Sequence, residues 1–267
     1  MDSPRVTLVD RGRVRADMGY VISGYSMASA SAPNPDHEIG EFVVWAAVIG
    51  TQNGTFLWDT GCPPNAETYW PEPLYDAFEA YNATDRSLES DLQTVGYRIE
   101  DIDAVVMSHL HLDHAGELSQ FAGTETPIYV HEDELPFAHL SATTTAGSIA
   151  YLHADFTGAY NWQLVQGDTH TLAPGFKLLH LPGHTPGLLG AELSIDGGEA
   201  LLIAGDEAYV EANYRDGAPL GPGLMWSQLH WQESRQRLRE IERQTDAAVL
   251  YGHDLDVFER LAARFSM

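Results

Sequence analysis

Apolar residues in this chain come in short unbroken runs more than in long periodic stripes. Residues 42–49 form one such run and 55–58 a shorter one. Between them lies Asn53-Gly54, a strong signal for a tight hairpin. Runs at 102–107, 128–130, 176–181, 189–195, 200–204 and 247–251 predict further strands, most of them buried. Asp196-Gly197-Gly198 makes a second hairpin of two of these. Helices are expected at 131–139, at 226–244, where Leu238 and Ile241 share one face, and at 256–264. Residues 63–75 carry four prolines and read as a loop, and 141–161 has no clear period and reads as an inserted, lid-like segment. Neither repeats nor low-complexity tracts nor a linker divide the sequence, so residues 1–267 read as one domain.

Composition narrows the classes. The hydrophobic fraction is 44%, ordinary for a globular protein and far from the signature of disorder. With 39 acids against 14 bases the net charge is -25. Such a surface repels phosphate backbones, which excludes nucleic acid and anionic membranes as expected partners. No apolar run approaches the roughly 20 residues of a membrane span. Cys62 is the only cysteine, so an intrachain disulfide is impossible. Together with an N-terminal stretch lacking a signal-like apolar core, this predicts a cytoplasmic protein.

Candidate chemistry gathers where the predicted strands end. His109, Asp206 and His253 each stand at such an end, and His184 just beyond another. The densest cluster is His109-x-His111-x-Asp113-His114. Two imidazoles two residues apart point the same way on extended backbone, and the next two side chains turn away as a helix begins. One short loop can thus feed two adjacent cations, His109 and His111 one of them, Asp113 and His114 the other. Imidazole with carboxylate suits zinc and similar transition ions. The remaining histidines, 37, 131, 139, 153, 170, 180 and 230, match no such position and read as structural or surface groups.

At this motif the chain resembles the metallo-β-lactamase superfamily, whose signature is HxHxDH. The resemblance runs in order from Asp59-Thr60-Gly61 through the motif to Pro182-Gly183-His184-Thr185, Gly205-Asp206 and Gly252-His253. It implies an α/β fold, a four-layer αβ/βα sandwich. It also implies two divalent transition ions, zinc in the first place. His109, His111 and His184 would hold one, Asp113, His114 and His253 the other, and Asp206 would bridge them. Asp59 would support a ligand histidine by hydrogen bonding.

A tyrosine three positions after the bridging aspartate, Tyr209, resembles the N-acyl-homoserine lactonase family, as do His184-Thr185-Pro186-Gly187 and Tyr251-Gly252-His253-Asp254. Related pyridoxolactone hydrolases share much of this pattern. The resemblance implies a lactone hydrolase in which a metal-bridging hydroxide attacks the ring carbonyl. Tyr209 would hydrogen-bond the developing oxyanion and Asp113 would shuttle the proton. The expected partner is a small lactone, with a homodimer left open. The aromatics at 69–81, the 141–161 segment and Met225-Trp226 are candidates to line an acyl channel. Another lactone, another ester or phosphoester, and a non-catalytic metal-binding protein on this fold remain as alternatives.

Overall fold

The computed structural model describes residues 3–81, 86–195 and 198–265. Twelve strands form two sheets among the described residues. In chain order they are β1 (Arg5–Asp17), β2 (Ile39–Thr51), β3 (Gly54–Trp58), β4 (Phe78–Tyr81), β5 (Ala104–Val106), β6 (Pro127–His131), β7 (Asn161–Val165), β8 (Thr169–Ala173), β9 (Phe176–His180), β10 (Leu189–Ser194), β11 (Ala200–Gly205) and β12 (Ala248–Tyr251). The first sheet has the order β4-β1-β2-β3-β5-β6-β7 and the second β12-β11-β10-β9-β8.

The two sheets face each other across one apolar layer. Trp45, Phe56 and Val106 of the first meet Phe176, Ala191 and Ile203 of the second. Phe56 and Phe176 cross edge to face with centroids 5.4 Å apart. Alternation along β5 shows why its apolar run is unbroken: Ala104 and Val106 enter this layer while Val105 packs on the opposite face. There, Leu88 and Leu92 from helix Leu88–Thr94 and Ala138 from helix Glu134–Thr143 cover the sheet. Helices Gln228–Thr245 and Leu255–Phe265 contribute Leu238, Phe258 and Leu261 to the core around the second sheet. The result is the four-layer αβ/βα sandwich.

The predicted hairpin at Asn53-Gly54 forms, with Thr51 opposite Gly54 and β2 antiparallel to β3. The second predicted hairpin also forms between β10 and β11, although Asp196 and Gly197 of its turn lie outside the described residues. Three expectations change. The helix expected from His131 starts at Glu134, because β6 runs on to His131. The proline-rich 63–75 stretch holds a short helix, Ala66–Tyr69, and the start of another, Glu72–Ala77. β1 was not predicted at all: its charged residues hide a strand whose Arg11 is only 1% exposed. The Arg11 guanidinium pairs with buried Asp91 and Glu117, and its Nε donates to the Thr60 carbonyl at 3.0 Å. A buried charge of this kind requires such partners, and here they also brace the turn after β3.

Candidate active site

Parallel pairing explains why distant residues meet. Trp58 of β3 lies opposite Val106 of β5, which brings Asp59 beside Ser108. Gly205 of β11 lies opposite Tyr251 of β12, which brings Asp206 beside His253. The strands therefore deliver their polar ends to one edge of the sandwich, and the turn after β9 adds His184.

His109, His111 and His184 form the first set of donors. His184 Nε2 lies 3.2 Å from His109 Nε2 and 2.9 Å from His111 Nδ1, and the last two atoms are 3.1 Å apart. The outer nitrogens fix the tautomers. His184 Nδ1 donates to the Leu224 carbonyl at 2.7 Å. His109 Nδ1 donates to Ser108 Oγ at 3.0 Å, because that hydroxyl gives its own proton to Asp59 Oδ2 at 2.7 Å. At least two bare lone pairs thus face one another, whatever proton His111 carries. Burial, aided by neighbouring imidazoles, pushes His109 and His111 well below the usual histidine range; burial also lowers His184, against the pull of Asp206. Neutral imidazoles crowded in this way repel one another unless a cation sits among them, so the triad fits a transition ion.

Asp113, His114 and His253 form the second set. Asp113 Oδ2 stands 3.7 Å from His114 Nε2 and 3.6 Å from His253 Nε2. Again the outer nitrogens are tied: His253 Nδ1 donates to the Val43 carbonyl at 2.8 Å and His114 Nδ1 to Asp59 Oδ2 at 2.9 Å. Asp206 lies between the sets. Its Oδ1 is 3.5 Å from His114 Nε2 and 3.3 Å from His253 Nε2, while its Oδ2 is 3.5 Å from His184 Nε2. Among the described residues His114 Nε2 and Asp206 Oδ1 are buried without a hydrogen-bond partner, as ligand atoms aimed at an ion would be. Burial alone would lower His114, but Asp206 and Asp113 prevail and raise it well above the histidine range. Burial opposes the Asp206 carboxylate, yet His253 and His114 hold it well below the carboxyl range. The two directions are the two sides of one attraction between the carboxylates and the imidazoles that face them.

All the residues singled out in the sequence as metal donors therefore meet. Asp59 joins them as expected. It sits at φ 55°, a left-handed backbone that aspartate tolerates, and this aims its carboxylate at Ser108 and His114. Gly252 has a steric reason to be glycine: a Cβ there would strike Asp206 Oδ1. A further trio, His131, Asp133 and His180, lies apart from this edge. The His131 and His180 rings stack nearly parallel with centroids 3.6 Å apart, so their in-plane lone pairs do not converge on one point.

Above the donors opens a cavity of about 470 Å³ whose base includes His111, Asp113, His184, Asp206 and Tyr209. Its walls are mainly apolar: Ala16, Tyr20 and Val21; Pro71, Pro73, Leu74, Ala77 and Phe78; Ile149, Ala150 and Leu224. Of the aromatics at 69–81 only Phe78 lines the cavity; the rest of that wall is Pro71, Pro73, Leu74 and Ala77. The 141–161 segment contributes as expected, through Ser148, Ile149 and Ala150. Trp226 does not: it lines a separate cleft with Phe137 and His230. Tyr209 is buried, and burial together with Asp113, Asp206 and Cys62 raises its phenol well above the usual range, which keeps it a proton donor at neutral pH.

Sequence reading missed Ser108, Glu134, Tyr151 and Thr185. Glu134 accepts from the Leu110 N–H at 2.9 Å, from the Tyr151 hydroxyl at 2.7 Å and from the Thr185 hydroxyl at 2.8 Å. These partners are far apart in the chain, so no local spacing marks them. A polar residue beside each donor motif, Ser108 before one and Thr185 after another, was the only signal present.

A dinuclear metal centre at the edge of an αβ/βα sandwich defines a class, and the sequence model of the metallo-β-lactamase superfamily matches residues 39–253: the chain belongs to this superfamily. Within it, the chain belongs to the N-acyl homoserine lactonase family. An N-acyl homoserine lactonase from Bacillus sp is 30% identical over 246 residues, 89% of this chain and 92% of that protein. N-acyl homoserine lactonase AiiB of Agrobacterium fabrum is 28% identical over 267 residues, 96% of each chain. Among solved structures, an N-acyl homoserine lactone hydrolase with N-hexanoyl-L-homoserine bound at its catalytic metal center superposes with TM-score 0.82 at 24% identity, covering 97% of both chains. That likeness speaks to the fold.

Proposed function

We propose that this protein hydrolyses lactones, with N-acyl-homoserine lactones as its substrate class, at a dinuclear centre. The observation that carries this is the placement of Asp206, whose two oxygens reach two separate donor sets on the floor of an apolar cavity. His109, His111 and His184 would hold one ion and Asp113, His114 and His253 the other, with Asp206 available to both. Nitrogen and carboxylate donors in this number suit zinc. When bound, such ions supply Lewis acidity, which acidifies water and polarises a carbonyl.

The chain's own groups do the rest. The apolar walls receive an acyl tail and exclude water around it. The Tyr209 hydroxyl, on the cavity floor, donates to the oxygen that gains charge as water adds to the ring carbonyl. Asp113, also on the floor, takes a proton from the attacking water and returns it to the ring oxygen as the ring C–O bond breaks. Water and lactone thereby become one hydroxy acid. A neutral lactone enters an acidic protein without penalty, and the anionic product is repelled. Residues 1–267 act as one catalytic domain in this scheme, and the single buried cysteine suits the cytoplasm.

The test is a lactone panel read by the pH drop on ring opening, run beside metal analysis. About two transition ions per chain and turnover of acyl-homoserine lactones are expected. A metal-replete protein inert to every acyl-homoserine lactone would overturn the substrate class, and inertness to all lactones would overturn the activity.

A further inference from the structure

Five histidines point at the proposed centre, and four of them have their outer ring nitrogen tied by a hydrogen bond: His109 to Ser108, His114 to Asp59, His184 to Leu224 and His253 to Val43. His111 is the exception. Its Nε2 is buried and has no hydrogen-bond partner among the described residues. A metal-binding imidazole ordinarily needs that second bond to fix its orientation and tautomer. Something else must hold this ring.

Two contacts do so. Leu110, the residue between His109 and His111, gives its N–H to Glu134 Oε1 at 2.9 Å. The ring of Tyr151 packs against the His111 ring, with centroids 4.5 Å apart and planes at 60°. The Tyr151 hydroxyl in turn donates to the same Glu134 Oε1 at 2.7 Å. The other oxygen, Oε2, accepts from the hydroxyl of Thr185, which follows His184. The Gly187 N–H is a further donor to this carboxyl, and a Cβ on Gly187 would collide with Glu134. One fully buried side chain therefore ties the two loops that supply the first triad, together with the aromatic ring that confines His111.

Resting on the dinuclear reading above, we propose that Glu134 is the positioning residue of the first triad: it sets the His111 ring and the spacing of the His109 and His184 loops. It touches no substrate in this role. The chemistry explains why a carboxyl group is required. The partners are all donors, and a carboxylate offers only acceptors, about four lone-pair sites. Glutamine is the same size, but it keeps only one acceptor oxygen and turns its NH2 toward part of this set of donors. The outcome is a loosened triad with an intact core shape.

The experiment loads wild-type protein and Glu134→Gln with cobalt(II), checks both by circular dichroism, and titrates a chelator while following the visible absorption of the bound ion. The expected result is that the variant loses one of its ions at about 10–100-fold lower chelator strength, with the second unchanged. A folded Glu134→Gln that keeps both ions at wild-type affinity overturns the proposal. If wild type itself holds fewer than two ions, the dinuclear reading fails, whatever the variant does. If Glu134→Gln does not fold, Tyr151→Phe and Thr185→Val decide the matter. Each should weaken the same ion, and Thr185→Ser should restore it; wild-type affinity in both Tyr151→Phe and Thr185→Val overturns the proposal.

Discussion

The phenol of Tyr209 lies on the imidazole of His253, with ring centroids 4.0 Å apart and planes inclined by 26°. The edge of Phe42 supports it from another side at 5.7 Å. Packing therefore holds the ring in place without help from its hydroxyl. Tyr209→Phe should keep the stack and the metals and lose only the donor over the floor of the cavity. We expect kcat to fall about 10²–10³-fold, the loss seen when one oxyanion donor is removed, with metal content unchanged. An unaltered kcat would remove Tyr209 from the chemistry.

Asp206 faces both donor sets, with Oδ1 toward His114 and His253 and Oδ2 toward His184 and also His253, so its charge matters more than its shape. Asp206→Asn should drop the metal content below two ions per chain and abolish turnover, measured by elemental analysis beside a lactone assay. Gly252→Ala should act in the same direction, since the added methyl strikes Asp206 Oδ1. Full metal occupancy in both variants would refute the bridging role.

Asp59 accepts from the Ser108 N–H at 2.7 Å, the Ser108 hydroxyl at 2.7 Å and His114 Nδ1 at 2.9 Å. Asn tolerates the same left-handed backbone, so Asp59→Asn isolates the loss of a carboxylate from any backbone effect. Metal affinity should weaken about 10–100-fold, as for other groups that orient a ligand histidine. Chelator competition measures this, and unchanged affinity would assign Asp59 to the turn alone.

Asp155 ties the 141–161 segment to the helix Ala66–Tyr69. It accepts from the Tyr69 hydroxyl at 2.6 Å, and burial raises its carboxyl to about 7, with the Tyr69 bond opposing. The folded state therefore holds a proton that the unfolded chain, with an ordinary carboxyl near 3.8, has already released. Stability from this group is full below the unfolded value, falls as pH rises through the window up to about 7, and is flat above it. Asp155→Asn removes the dependence while keeping an acceptor for Tyr69. The difference in Tm, variant minus wild type, should grow between pH 4 and pH 7 and then level off. A difference constant with pH would show that Asp155 is not buried in its neutral form.

The sequence was most legible where one stretch of chain does one job. Four potential donors within six residues, 109–114, needed no structure to be recognised. His184, Asp206 and His253 followed because each stands after an apolar run that becomes β9, β11 or β12. Long-range relations stayed hidden. β1 was obscured because Arg11 looks like a surface residue until Asp91 and Glu117 are beside it. The edge strands β7 and β8 are partly exposed and show no apolar run. Val43 and Leu224 hold ligand histidines through backbone carbonyls, which no side-chain pattern can announce. The wall at Ala16, Tyr20 and Val21 was missed together with the strand that leads into it.

The cavity has a division of labour in its make-up. Its floor is set by strand ends locked into two sheets, whereas its walls come from 16–21, 71–78 and 148–150, pieces that lie mostly outside the strands. Exchanging a wall residue leaves the reactive groups where they are. The breadth of tails admitted can therefore drift or be engineered through Tyr20, Leu74, Phe78 or Ile149 while the rate of bond breaking is inherited intact.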